Sequence, residues 1–246
     1  MAYRSSSIGT PANDTTHTVP VPAGLADGDK VNIYFFEEST RTAHSTIPTG
    51  FALDATEADT VSDFRAVNIR RFWKDVTSAA SEGSGGNYTI TFGSAAIGYA
   101  MAVAHSGRAT GAGTDANTND GAAAASPLSV ALTGVTAASA DDVIVVWAVA
   151  PDDGADPFNI TSSNTAPTNY TARQNFNTYW RIGQLATRDN VSSGATGTLT
   201  GSCTFTEAAT ANFCGLVVTM ASSGGGGGGN SNLLGGKLGQ LLKGKL

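Results

Sequence analysis

Histidines, paired carboxylates and two cysteines are the residues of this chain that could do chemistry, and their spacing argues against most of it. Catalysis needs an acid, a base or a nucleophile converging on one point. His17, His44 and His105 stand in three separate segments with no metal-ligand spacing. His17 falls in a Thr-rich opening and His44 in a loop, where a solvated imidazole is expected, and His105 ends a strand at its rim. The carboxylate pairs Glu37-Glu38, Asp141-Asp142 and Asp152-Asp153 are neighbours in sequence, and neighbours on a strand face opposite ways; a glycosidase needs its two carboxyls across one cleft. Asp141-Asp142 marks a strand entry, as Asp27 and Asp29 do earlier. No serine sits in a nucleophile elbow and no phosphate loop opens a helix. The expectation is a protein that is not an enzyme and carries no cofactor or metal.

Two acidic loops deserve weighing against calcium. Asp115-Ala-Asn-Thr-Asn-Asp-Gly resembles the opening of an EF-hand, but its glycine comes one residue late and Ser126 stands where a bidentate glutamate belongs. Asp152, Asp153 and Asp156 make a second acidic stretch. Both read as solvated loops. Cys203 and Cys214 sit on segments patterned as one hairpin, Gly197–Phe205 and Ala211–Met220, which would set them opposite each other. A disulfide is one outcome and a pair of reduced core thiols the other, the second favoured for a cytoplasmic product. One segment carries ligand chemistry: Phe176-Asn-Thr-Tyr-Trp-Arg brings rings, amides and a guanidinium together, so Tyr179, Trp180 and Arg181 are candidate glycan contacts. The competing arrangement points Trp180 and Ile182 inward, with Tyr179 and Arg181 on the other sheet face.

The elements behind these residues are strands. The chain has 246 residues, of which only 14% are charged, with Thr, Val and aromatic residues that suit a pleated surface. Val31, Ile33 and Phe35 alternate with Asn32 and Tyr34, and Val67 and Ile69 with Asn68 and Arg70. Val143–Ala150 is apolar throughout and reads as a buried strand. Turn clusters at Asp27-Gly28, Ser84-Gly-Gly, Asp152-Asp-Gly and Ser193-Gly punctuate the run. The order of features also repeats: 113 residues separate Asp29 from Asp142, 114 separate Asp75 from Asp189, and 119 separate Pro48 from Pro167. A helix-poor chain of this kind implies antiparallel strands. The predicted fold is all-β, a jelly-roll-like antiparallel sandwich (residues 1–222) built from two pseudo-repeated halves, about 19–107 and 126–221, around one shared core. Residues 107–125 would join the halves as a low-complexity surface excursion.

Six glycines, Gly224 to Gly229, then change the character of the chain. Residues 223–230 form a flexible linker, and 231–246 a cationic, leucine-rich peptide. All 20 acidic residues and 11 of the 14 Lys and Arg precede the glycines, so the body carries −9 and the tail +3. That balance argues against nucleic acid as a partner. Leu234, Leu238, Leu241 and Leu242 recur at helical spacing, but four interspersed glycines weaken a helix standing alone. Leu233, Leu234, Lys237, Leu238, Leu241, Leu242, Lys243 and Leu246 therefore read as an anchoring surface that orders on a partner. The start of the chain carries no signal-peptide pattern, which predicts synthesis in a cytoplasm, and no apolar run reaches the length of a membrane span.

Val19-Pro-Val-Pro-Ala-Gly-Leu-Ala-Asp-Gly-Asp-Lys-Val, a later Pro-Thr-Gly-Phe and the closing Met-Ala-Val-Ala-His-Ser-Gly resemble a β-sandwich domain that recurs in structural proteins of tailed bacteriophages and in some bacterial surface proteins. The resemblance spans roughly Val19 to Met220. Where the family pattern closes its first half with an aromatic-Arg-Gly turn, this chain has His105-Ser-Gly-Arg. The glycine run and the Leu/Lys ending are similar to short tails on virion proteins of marine phages. The resemblance implies a multi-copy virion protein, a capsid decoration or fibre, held to other virion proteins by its C-terminal peptide. The alternative it leaves open is a carbohydrate- or receptor-binding tail adhesin meeting host surface glycans.

Overall fold

The central strands of this chain are buried on both faces, and that property dictates the architecture. The computed structural model describes residues 2–38, 44–54, 58–59, 67–83, 85–119, 124–152, 162–178, 181–206 and 210–223. Among them the regular structure is strand throughout, apart from a single 3-10 turn at Ala79–Ser81. The first half supplies β1 (Tyr3–Ile8), β2 (Ala12–Pro20), β3 (Lys30–Glu38), β4 (His44–Thr46), β5 (Ala52–Leu53), β6 (Ala58–Asp59), β7 (Val67–Asp75) and β8 (Asn87–His105). The second supplies β9 (Thr114–Asn119), β10 (Leu128–Leu132), β11 (Thr136–Ala137), β12 (Asp141–Asp152), β13 (Ser162–Thr165), β14 (Thr171–Thr178), β15 (Arg181–Val191), β16 (Gly194–Ala195), β17 (Leu199–Phe205) and β18 (Thr210–Met220).

All pairings among these strands are antiparallel. One large array runs β1-β8-β3-β7-β5, and the other β9-β18-β12-β15-β14. The two share an order: in each, a central strand (β3 or β12) lies between the half's last strand (β8 or β18) and an earlier one (β7 or β15). Smaller arrays lie outside them. β2 and β4 pair with the first part of β8, and β10-β17-β13 forms the matching three-stranded sheet. Strand β8 runs unbroken past both β2 and β4, and departs from regular pairing with β2 between Ala96 and Thr91.

Three apolar cores result, where the sequence suggested one. Val31, Ile33 and Phe35 pack with Val19, Ile90 and Phe92 inside the first half. Val143, Val145, Trp147 and Val149 pack with Leu128, Val130, Cys203 and Phe205 inside the second. The opposite faces of the same strands build a third core between the two large arrays: Tyr34, Phe36, Tyr99, Met101 and Val103 against Ile144, Val146, Ala148, Leu216 and Val218. Period-2 alternation thus divides residues between two cores rather than between core and water. Within the second array Gly183 makes room for its neighbours on the flanking strands: an added Cβ would lie 2.1 Å from the Phe176 ring and 2.4 Å from the Trp147 carbonyl.

The connection between halves is also more structured than its composition suggested. Arg108 is buried, and Thr114–Asn119 pairs with β18 as an edge strand. Asp115 lies within that strand, 3.8 Å from the Arg71 guanidinium, not in a calcium loop. Asp153 and Asp156 of the second acidic stretch lie outside the described residues. Cys203 and Cys214 fall in different layers, Cys203 opposite Leu128 and Cys214 opposite Ala148, so the expected hairpin partnership does not form and both are free thiols.

Candidate functional site

Strand directions gather the chain's described ends at one pole of the molecule. Lys30 opens β3 beside Asp75 and His105, and Tyr3 also pairs with His105. In the second half Asp142 pairs with Met220 and Asp141 with Val191. The last described residues are fastened there: the Ala109 N–H donates to the Ala221 carbonyl (2.7 Å), the Ser223 N–H to the Gly107 carbonyl (3.1 Å), and the Ser222 N–H to Asp141 (3.2 Å). Ala2 is tied to Ser106 at the same pole. The opposite pole holds Glu38 paired with Val67, Asp152 with Thr210, and Thr178 with Arg181.

Two strand entries at the first pole are built alike. Asp29 accepts the Ala26 N–H at 2.8 Å, and Asp141 the Ala138 N–H at 2.7 Å, each closing a turn by a side-chain cap. Asp141, rather than Asp142, is therefore the counterpart of Asp29. Asp142 turns inward instead.

The candidate glycan contacts are divided by this geometry. Arg181 is 4% exposed and its charge acts on the Tyr99 hydroxyl, so it is buried against the middle core and offers no guanidinium to a sugar at the surface. Ile182 faces the core of the second half. Tyr179 and Trp180 lie outside the described residues, as do all the anchoring positions from Leu233 to Leu246. His17 is buried rather than solvated: its Nε2 lies 3.0 Å from the Ala96 carbonyl, and its ring meets Phe35 and Phe92 edge-on. His44 belongs to β4.

His105 departs furthest from expectation. It is completely buried, not on the rim, and a ring nitrogen lies within 4.8 Å of carboxylate oxygens of Asp142 and Asp189, which are themselves equally close. Burial, with help from the charges of Arg108 and Arg173, pushes the imidazole down to about 3, and burial pushes the Asp142 carboxyl up to about 6. This is the one group of three such ligands among the described residues. Its sequence signal was slight: a histidine closing an apolar strand, and two aspartates at strand ends in the other half.

Two open clefts recur at equivalent places on the halves. In the first, about 620 Å3, the Pro48–Phe51 turn faces Asn87, Thr89 and Thr91, with Lys74 bridged to Glu82 at 2.7 Å. Tyr88 donates to the same carboxylate at 3.1 Å, and burial followed by the Glu82 charge drives its hydroxyl far above the ordinary range. In the second, about 320 Å3, the Pro167–Tyr170 turn faces Thr198 and Thr200, with Arg188 in place of the lysine. Gly50 and Asn169 hold the two turns with φ of +81° and +69°, the left-handed conformation that favours those two residue types. Tyr88, the aromatic residue among those lining the first cleft, is buried, so hydroxyl and charged groups rather than ring faces dominate it.

Comparison of the chain with family models, with curated proteins and with solved structures returns no match.

Proposed function

We propose that this protein is a non-enzymatic structural module of a phage virion, displayed on the particle surface as a decoration or head fibre and anchored through its C-terminal peptide. The observation that carries the reading is the place where the tail departs. Ser222 and Ser223 are fastened beside Gly107 and Arg108, so the residues that lead into six glycines sit at one pole and the Thr178–Arg181 pair at the other. A flexible tether sets reach rather than orientation, and with its root at one pole it leaves the far pole uncovered. Charge supports the division: an acidic body resists condensing on nucleic acid, while the tail adds three lysines and a dense set of leucines. Burying each leucine in a partner contributes about 2 kcal/mol, a substantial share of what ordering a short peptide costs. Partners are other virion proteins, contacted by many copies.

Removing Ser231–Leu246 tests this. Particles assembled with the truncated chain should lack it by quantitative mass spectrometry, while the isolated truncated protein melts at the full-length temperature. Equal incorporation of both forms would sink the anchor.

A second reading, receptor or glycan binding, rests on the Thr178–Arg181 pair at the far pole, which flanks Tyr179 and Trp180 in sequence. Specific glycan-array binding lost in Trp180→Ala would favour it, and an array without specific signal would remove it.

A further inference from the structure

We infer that His105, Asp142 and Asp189 form a structural site for a divalent transition-metal ion, with zinc the best match, and that the ion clamps the first half of the chain to the second. The three residues come from β8, β12 and β15, so the site exists only where the two large arrays meet. One ring nitrogen and two carboxylate oxygens lie within 4.8 Å of one another. Tetrahedral zinc holds such atoms about 3.3 Å apart, a contraction within reach of side-chain rotation.

A second observation is independent of that spacing. Neither nitrogen of the wholly buried His105 ring has a hydrogen-bond partner, and Oδ2 of Asp142 has only its ion pair with Arg108 Nε at 3.3 Å. Buried polar atoms almost always find partners, since each one left idle forfeits its hydration without return. An ion bound by a ring nitrogen and Asp142 Oδ2 satisfies both residues at once.

The carboxylates are already oriented for the task. The Asn190 N–H donates to Asp142 Oδ1 at 2.9 Å, and the Tyr3 N–H to Asp189 Oδ1 at 3.1 Å. Each aspartate is thereby fixed through one oxygen and offers the other, as ligating carboxylates do. The nearby guanidiniums make only loose ion pairs with those second oxygens: Arg108 Nε stands 3.3 Å from Asp142 Oδ2, and Arg173 3.7 Å from Asp189 Oδ2. Charge-assisted hydrogen bonds are shorter, about 2.7–2.9 Å. Other partners hold the arginines back. Arg108 donates to the Ser106 and Ala140 carbonyls, and Arg173 donates to Thr187 Oγ1 and lies over the Tyr3 ring. The donor set selects the ion: calcium and magnesium take six or more oxygens, whereas one imidazole with two carboxylates and a water suits zinc.

The test uses the full chain, stripped with EDTA. Zinc is then added either to the folded protein or during refolding from urea. Metal analysis after dialysis should find one zinc per chain, with a raised melting temperature, and Co2+ should give a visible d–d spectrum. His105→Gln should weaken zinc binding at least about 100-fold, beyond the loss typical of a merely supporting residue. Should that variant not fold, Asp189→Asn at the partly exposed edge of the cluster replaces it, with zinc lost or the cobalt spectrum altered. Wild-type protein that takes up no zinc by either route overturns the proposal, as does zinc binding or a cobalt spectrum that the variants leave unchanged.

Discussion

Tyr34 places a hydroxyl at 0% exposure in the middle core without a hydrogen-bond partner, and burial pushes that hydroxyl above its ordinary range. A buried polar atom with no partner costs roughly 1–3 kcal/mol of desolvation. Tyr34→Phe removes the atom and keeps the ring, so urea unfolding should show it neutral to about 1 kcal/mol more stable. A loss of more than 1 kcal/mol would mean that something satisfies the hydroxyl. Cys203 makes a related point about pH. Burial pushes its thiol up to about 12 from an unfolded value of 9.0. Because the native form disfavours the thiolate, its contribution to stability is complete below pH 9 and is lost as pH rises toward 12. Thiol labelling at pH 8 should therefore require unfolding, and Cys203→Ala should soften the alkaline decline that begins near pH 9. Rapid labelling of Cys203 in the folded protein would contradict its burial.

Strands buried on both faces explain why some elements were legible in the sequence and others were not. Val143–Ala150 was evident because an unbroken apolar run has few alternatives in a helix-poor chain. Asn32 and Tyr34 looked solvent-facing because alternation ordinarily separates core from water; here the second face meets another sheet, and polar residues stay buried by pairing. On that second face Arg71 donates to Asn32 at 2.9 Å; on the first, Arg70 and Glu37 are joined at 2.8 Å with both side chains almost wholly enclosed. They hold β7 to β3 within the register that also pairs Arg70 with Phe35. Arg70→Met alone leaves a buried carboxylate without its guanidinium and should cost about 3–5 kcal/mol. Adding Glu37→Leu should recover most of that loss, since a matched apolar pair often equals a buried ion pair. A double variant as unstable as the single one would show that the pair contributes through something other than mutual neutralisation. The site was harder to read than the strands. His105, Asp142 and Asp189 are far apart in sequence, and only the facing of two sheets brings them together.

At the scale of the molecule, the middle core decides whether the halves are one object. Each half has its own apolar interior, so local packing alone would permit two separate sandwiches joined by residues 107–113. The repeated order of features in the sequence suggested the halves, but it could not reveal that their large arrays also pack face to face. Cut at residue 113, the first fragment would expose Tyr34, Phe36, Val67, Ile69, Tyr99, Met101 and Val103 on one sheet face, and the second Ile144, Val146, Ala148, Leu216 and Val218. Contiguous faces of that kind drive association, and covering each large side chain is worth roughly 1.5–3 kcal/mol. Fragments 2–113 and 114–223 made separately should aggregate or self-associate, whereas co-expression should yield a 1:1 complex by size exclusion with light scattering. Its unfolding should be a single transition at a midpoint that rises with concentration. Two fragments that each stay monomeric, fold and ignore one another would show that the outer cores carry the stability and the shared face contributes none.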